Sequence, residues 1–577
     1  MQEKKARERL CDSLKQVAEE IDRVQEESTQ YKAKQSSEEY FVQASSSAKV
    51  IMNGKNNMVG RRDERERMMA ELTRGFSGEL KVIPIVGMGG IGKTTLAKEV
   101  FNDAFIRSHF GVRAWATISQ EHNVKDILVS LLHSTKEKDD TVNTEDESKL
   151  ADMLQKSLKS RRYLIVLDDM WSDKAWDDVR LCFPSENNGS RILLTTRNTE
   201  VACSAGTTNM SLPIGIMCPV ESWGLFKSAA FVNEALPTEF ETVGKQIVDQ
   251  CQGLPLTIVV VAGLLSKSKR TIEVWGSVAK DVKSFFTNDP DEQCLHVLGL
   301  SYNHLTSDLK ACLLYFEFFQ EDSEVSVKRL VRLWIAEGFL KLEGDLEEEA
   351  KNRLQDLVDR CLVLVSQRSA DGRKIKTCRI HDLVHELCLR EAQSQNFLFI
   401  RNDKTESVPR VGSRWISIQK SRKTGVEFQD EHWFRSLTHK LCWLIRTPTD
   451  DDNSPLRRIR SIFLFAAPSL SNNSNLELCH LNVIRVLDLS FSSFPLQILS
   501  LFLLRYLSFS TRNSFGIPGE LRKLLNLQTF IVRGPVSSFI KFPELIWEAT
   551  QLRHLKLRNL YLPDPPSSSI DGERNLF

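Results

Sequence analysis

The sequence predicts a multidomain α/β chain in which a parallel sheet is followed by a mainly helical stretch and then by a repeating solenoid. Three observations carry that expectation. Between residues 81 and 214, short β-rich runs alternate with helical ones, the pattern of a parallel sheet with helices on both faces. From about residue 216 to 400 the apolar periodicity turns helical. Beyond residue 456 an apolar pattern recurs every 20 to 25 residues, the spacing of a stacked repeat array.

The strands are expected at 81–86, 112–118, 163–167, 191–195 and 212–214, and a charged insert at 135–148 is expected as a mobile loop between two helices. Amphipathic blocks at 221–231, 240–250, 309–319 and 327–339 supply the helical stretch. Strand-like pieces return at 362–367 and 374–379 just before another helix, so helices followed by a two-stranded wing predict a helical domain and then a winged-helix domain. In the last third, the pattern apolar-x-x-apolar-x-apolar starts at Ile459, Ile484, Leu504, Leu527 and Leu552, at intervals of 25, 20, 23 and 25 residues. Five matches in register predict a leucine-rich-repeat solenoid. Ser492, Arg512, Pro535 and Leu560 stand where an asparagine ladder would, so its curvature is expected to be irregular, and the array is expected to be cut short. At the other end, Leu10, Leu14, Val17, Ile21 and Val24 alternate in steps of four and three, an a/d seam that fits a short coiled coil or an amphipathic helix packed on a neighbour.

At 577 residues the chain is too long for one core. Its 77 Lys plus Arg nearly cancel 76 Asp plus Glu, for a formal charge of +1, so no overall field draws it onto nucleic acid. Twelve scattered cysteines without a C-x-x-C read as reduced thiols rather than a zinc or dithiol site. The charged start MQEKKARERL lacks the apolar run of a secretory signal, and a cytoplasmic location is expected.

The strongest chemical signal is Gly87-Met88-Gly89-Gly90-Ile91-Gly92-Lys93-Thr94-Thr95, a complete G-x-x-x-x-G-K-[ST] loop between the strand VIPIV and the helix TTLAKEVF. Its glycines let backbone N–H groups converge on phosphate oxygens, and the helix N-terminus adds roughly half a positive charge behind them. Lys93 is expected to reach the β- and γ-phosphates and Thr94 to ligate Mg2+. The apolar run 163–167 ends in Asp168-Asp169; Asp168 is the expected metal-side carboxylate and Asp169 the candidate for orienting a water. The run 191–196 ends in Arg197, whose guanidinium could report a γ-phosphate; on spacing alone a surface arginine at a strand end is an equal reading.

The order of further blocks resembles the NB-ARC module of plant disease-resistance proteins across roughly residues 55 to 400. The blocks are Met58-Val59-Gly60-Arg61, FGVRAWATISQ at 110–120, Asp168-Asp169-Met170-Trp171, Gly189 through Arg197 and ESWGLFKSAAF at 221–231. They continue with Gly253-Leu254-Pro255-Leu256, CLLYFEFFQED at 312–322, Leu333-Trp334-Ile335-Ala336-Glu337-Gly338-Phe339 and Ile380-His381-Asp382-Leu383. The flavour is that of the late-blight-resistance-like group of coiled-coil receptors. The resemblance implies a partial coiled-coil or helical segment over 1–50, a P-loop nucleotide-binding domain over 55–215, a helical domain over 216–295, a winged-helix domain over 296–400, a linker over 401–455 and a partial leucine-rich-repeat domain over 456–577.

It also implies an ADP/ATP-dependent immune switch in which ADP and Mg2+ are held by Val59, Gly87, Gly89, Gly90, Ile91, Gly92, Lys93, Thr94, Thr95, Arg197, Pro255 and His381. Val59 and Pro255 would lie against adenine, and His381 would donate to the β-phosphate. Hydrolysis would be at most a slow reset. The implied partners are a pathogen effector or a guarded host protein at the repeats and further copies of the chain on activation, with membrane contact expected only after activation. A remodelling ATPase with a repeat docking arm is the competing expectation. The winged-helix segments 329–332 and 374–379 are too weakly basic to make nucleic acid the main ligand.

Overall fold

A computed structural model describes residues 58–73, 78–118, 123–135, 146–206, 211–231, 236–284, 289–319, 321–340, 344–395, 398–401, 414–418, 458–464, 483–490, 496–510, 515–517, 519–533, 540–541, 544, 549, 551–556 and 560–561. The helical segment expected over 1–50, the core of the insert at 136–145 and most of the stretch 401–455 lie outside the described residues.

Five parallel strands form the first sheet: β1 (Lys81–Val86), β2 (Val112–Thr117), β3 (Tyr163–Met170), β4 (Arg191–Thr196) and β5 (Leu212–Pro213), in the order β2-β3-β4-β1-β5. Their central residues are apolar on both faces because helices cover both. Ile83, Ile85, Leu164, Val166 and Leu193 share one core with helices Arg62–Thr73 and Lys93–Asn102. Ile165, Leu167, Ile192 and Leu194 point into a second core with helices Val124–Ser134 and Glu147–Leu158. Sequence order does not reveal that β4 lies between β1 and β3. That insertion brings Thr195 and Arg197 between the glycine loop that follows β1 and the acidic tip of β3. β3 also runs past Leu167 to Met170, with a register shift against β4 and a positive φ of 63° at Asp169.

Helices Pro219–Ala230, Glu241–Gln250, Pro255–Lys267 and Ile272–Ser284 build the helical region around Trp275, which is fully enclosed by Phe226, Phe231 and Phe240 at ring-centroid distances of 6.0, 6.0 and 4.9 Å. Helix Pro290–Asn303 runs across the boundary expected at 295/296, because its apolar side joins the same core as the helices on either side. Helices Ser307–Leu314, Val327–Glu337, Leu346–Asp359 and Asp382–Ser394 then surround an antiparallel wing of β6 (Val325–Ser326), β7 (Leu364–Arg368) and β8 (Ile375–Arg379) in the order β6-β8-β7. The wing has one strand more than the sequence predicts.

The second large sheet is parallel. It contains β9 (Leu398–Arg401), β10 (Trp415–Ile418), β11 (Ser461–Leu464), β12 (Val486–Ser490), β13 (Tyr506–Ser510), β14 (Thr529–Arg533) and β15 (His554–Lys556), in the order β15-β14-β13-β12-β11-β10-β9. The middle apolar residue of each repeat aligns with the next, through Ile462, Leu487, Leu507, Phe530 and Leu555. Two strands precede the first repeat, one of them inside the stretch expected as a linker. β10 is held there by Trp415, whose ring packs edge-on against Tyr315 at 5.3 Å, while Phe463 of β11 meets Phe318 at 4.5 Å. The winged-helix core therefore continues into this sheet without a break. Arg329 seals the join by an ion pair to Asp488 at 2.7 Å.

Trp275→Ala is expected to destabilise the protein by about 3–5 kcal/mol, the cost of emptying a closed aromatic site. Denaturant unfolding followed by far-ultraviolet circular dichroism checks this, and an unchanged first transition would count against the packing.

Candidate functional site

The glycine loop follows β1 and hands over to helix Lys93–Asn102, with Gly90 and Gly92 at φ of 69° and 99°. These left-handed values are open to glycine and strained for other residues. A Cβ on Gly89 would stand 2.8 Å from an Arg197 guanidinium nitrogen and 3.1 Å from Asp291 Oδ1, and one on Gly90 would stand 2.8 Å from Leu256. The loop is thus closed in by groups from three later parts of the chain. Lys93 is 7% exposed, and its ammonium donates to the carbonyls of Gly87 and Met88 at 2.8 and 2.9 Å. Burial and then Arg197 push it down to about 8, against the pull of Asp169, Asp168 and Asp291.

Thr94 donates its hydroxyl to Asp168 Oδ1 at 2.8 Å, and Thr195 of β4 donates to the same oxygen at 2.7 Å. Thr195 Oγ1 in turn accepts the Asp169 backbone N–H at 2.8 Å. A hydroxyl and a carboxylate held together at the end of a strand form an oxygen-donor pair suited to a hard divalent cation. Asp169 accepts from the Trp171 indole at 3.1 Å. Burial raises its carboxyl above the ordinary value, against Arg197, while Asp168 adds to the rise.

Arg197 leaves the tip of β4, lies over the Trp171 ring at 5.0 Å and forms an ion pair with Asp382. That aspartate opens helix Asp382–Ser394 in the winged-helix region, so the contact crosses from the first sheet to the third part of the fold. His381 caps the same helix, its Nδ1 accepting the Leu383 N–H at 3.3 Å. Burial, then Arg197, Arg379 and Lys93, push the imidazole down to about 3, and the ring is neutral at neutral pH.

The residues Lys93, Thr94, Asp168, Asp169, Arg197 and His381, scattered over almost 290 positions, are therefore brought to one place, with Gly87 to Thr95 as its floor. Val59 and Pro255 stand on the helical-region side. Val59 lies against Gly224, and Pro255 opens helix Pro255–Lys267, whose Leu256 N–H donates to Gly90 O at 3.2 Å. A cleft of about 420 Å³ opens beside Met88, lined by Ile216, Met217, Val248, Gly253 and Leu254 among others. Val59 and Pro255 are not in its lining.

Two contributors were not legible beforehand. Arg61 is buried, and its guanidinium donates to Ile91 O in the loop at 2.9 Å and to Gly215 O at 2.8 Å, while Glu221 accepts its backbone N–H. It ties the phosphate loop to the connection between β5 and helix Pro219–Ala230. The block Met58–Arg61 was the available signal, although the role was assigned to Val59. The other is Asp322, in the winged-helix region, whose carboxyl is pushed up to about 7 by burial and then by Asp169. No sequence pattern marks an encounter between parts of the chain more than 150 residues apart.

The winged-helix region also carries a pH liability. His385 lies 3.5 Å from the buried Glu317, and burial pushes its ring down to about 4 from an ordinary 6.5. Between those values the unfolded chain binds more protons than the folded one, so stability falls as pH falls through that window. His381 acts in the same direction, whereas Glu317 and Asp322, both raised by burial in the folded protein, oppose them. His385→Gln is expected to flatten the fall in unfolding free energy between pH 6.5 and 4, by at most about 3 kcal/mol. Parallel curves for the variant and the parent would contradict the assignment.

Residues 61–236 match the NB-ARC domain and residues 318–388 match the disease resistance protein winged helix domain. Over 533 residues the chain is 34% identical to a putative late blight resistance protein homolog of Solanum demissum, covering 90% of this chain and 38% of that protein. A late blight resistance protein of the same species is 35% identical over 520 residues, covering 88% of this chain and 38% of its own length. The chain thus spans less than two fifths of the relatives it matches. Among solved structures, a signal transduction ATPase with a tetratricopeptide repeat sensor from Pyrococcus horikoshii aligns at 15% identity and a TM-score of 0.37, over 70% of this chain and 47% of that one. The chain carries a nucleotide-binding NB-ARC domain and the winged-helix domain of disease resistance proteins, and late blight resistance proteins are its homologues.

Proposed function

We propose that the chain is the switch portion of an intracellular plant immune receptor, held closed by ADP and opened when ATP replaces it. The observation that supports this most directly is the ion pair between Arg197 and Asp382, which joins the phosphate-loop domain to the winged helix beside Gly89. In this reading Lys93 and the loop N–H groups bind the diphosphate, and neutral His381 adds a hydrogen bond from the winged helix. Arg197 stands where a third phosphate would compete with Asp382 for its guanidinium.

The donor set fits a bound Mg2+. Thr94 and Asp168 would hold it, and it would neutralise phosphate charge when bound. Asp169 then lies one residue beyond the metal side, where its carboxylate can orient a water for a slow resetting hydrolysis. A nucleotide present at roughly a thousand times its dissociation constant stabilises the state that binds it by about 4 kcal/mol. That is enough to add materially to a contact made by a single partly exposed ion pair such as Arg197–Asp382.

The parallel repeat sheet packed on the winged helix is suited to receive a pathogen effector or a guarded host protein, and self-association would follow opening. Signal output by the present chain, which spans 38% of each of these relatives, is part of this proposal.

Purified protein is expected to carry close to one ADP per chain, and Lys93→Ala to lose it, because the loop keeps its shape without its phosphate cation. Nucleotide extraction and chromatography check this; equal ADP content in parent and variant would refute the site. Asp382→Val is expected to speed ADP release at least about tenfold, since breaking a partly buried pair by removing one partner costs a few kcal/mol. Release of a fluorescent ADP analogue measures it, and an unchanged rate would refute the clamp.

A further inference from the structure

We infer that Asp291 makes the closed arrangement selective for a diphosphate, because its carboxylate faces the stretch of phosphate loop where a third phosphate would lie. The inference rests on the nucleotide reading above and adds a discriminating residue to it.

Asp291 sits in the first turn of helix Pro290–Asn303, where Asp289 caps the helix and accepts the Asp291 N–H at 3.0 Å. The backbone N–H groups at this helix start are therefore occupied by Asp289, and the Asp291 side chain is free to project away from the helix. It projects toward the loop. Its Oδ1 lies 3.1 Å from the point where a Cβ on Gly89 would stand, next to the Arg197 guanidinium. That oxygen is shielded from solvent and has no hydrogen-bond partner among the described residues. Its charge acts on the Lys93 ammonium, alongside Asp168 and Asp169. Arg197 Nε is likewise shielded and has no hydrogen-bond partner among the described residues.

A buried carboxylate oxygen without a donor is costly, and the cost is tolerated here only beside Lys93 and Arg197. The same position is hostile to added negative charge. Like charges brought close in a shielded site repel far more strongly than in water, before screening by a bound cation. In the nucleotide reading, a diphosphate would end near Lys93, and the last phosphoryl group of a triphosphate would extend past it toward Gly89, where Arg197 and Asp291 converge. Helix Pro290–Asn303 packs on helices Pro255–Lys267 and Asp382–Ser394, so withdrawing Asp291 requires those elements to move with it. The carboxylate thereby couples the arrival of the third phosphate to separation of the winged helix from the loop, while Arg197 pulls the same phosphate in.

The test is the ratio of dissociation constants for a non-hydrolysable ATP analogue and for ADP, both with Mg2+, measured by displacement of a fluorescent ADP analogue from the full chain. Asp291→Asn keeps the shape and removes the charge, and the ratio is expected to fall about tenfold, mostly through tighter binding of the triphosphate. Asp291→Glu is expected to retain the parent ratio. Should Asp291→Asn fail to fold, Asp291→Ser carries the same comparison. A parent chain that binds ADP, together with charge-removing variants whose ratio is unchanged, overturns this inference and leaves the nucleotide site standing. A parent chain that binds neither nucleotide overturns both.

Discussion

The arrangement of the domains turns on a contact between the first and third parts of the fold, the Arg197 guanidinium against the Asp382 carboxylate. Each residue is well placed by its own domain. Arg197 follows a strand buried on both faces, and Asp382 begins a helix, where its charge suits the positive end of the dipole. Neither placement requires the other. Their meeting makes the relative position of two domains depend on a few charges around Gly89, and a small charged ligand there can shift a large equilibrium only through such differential contacts.

Around that pair the site is crowded with acids. Asp168, Asp169, Asp291, Asp322 and Asp382 come from four separate stretches of chain, against Lys93, Arg197 and Arg379. Burial pushes Asp169 and Asp322 up and Lys93 and His381 down, so these four groups lean toward their neutral forms. An interface of this kind gains little from its own electrostatics. It suits a bound ligand that supplies the missing balance and an arrangement that is released when the balance changes.

The parts legible in the sequence were those governed by local rules. Lys81–Val86 and residues 163–167 show as strands because they are buried on both faces, and the glycine loop shows because its backbone needs residues without side chains. The repeat register followed from spacing, and the parallel sheet aligns the same apolar residues from strand to strand. What could not be read were contacts set by strand order and domain docking. Nothing in the chain states that β4 inserts between β1 and β3, that Trp415 draws a strand out of an expected linker, or that Arg61 holds Ile91 from below. Periodicity reports which face of an element is buried. It does not report which distant charge waits on the other side.

The central claim is that one phosphate-dependent contact sets the arrangement of the domains. Small-angle X-ray scattering of the purified chain, saturated in turn with ADP and with a non-hydrolysable ATP analogue, tests it most directly. The account predicts a compact particle with ADP and a larger radius of gyration with the triphosphate. Superimposable scattering curves for the two saturated states would contradict it.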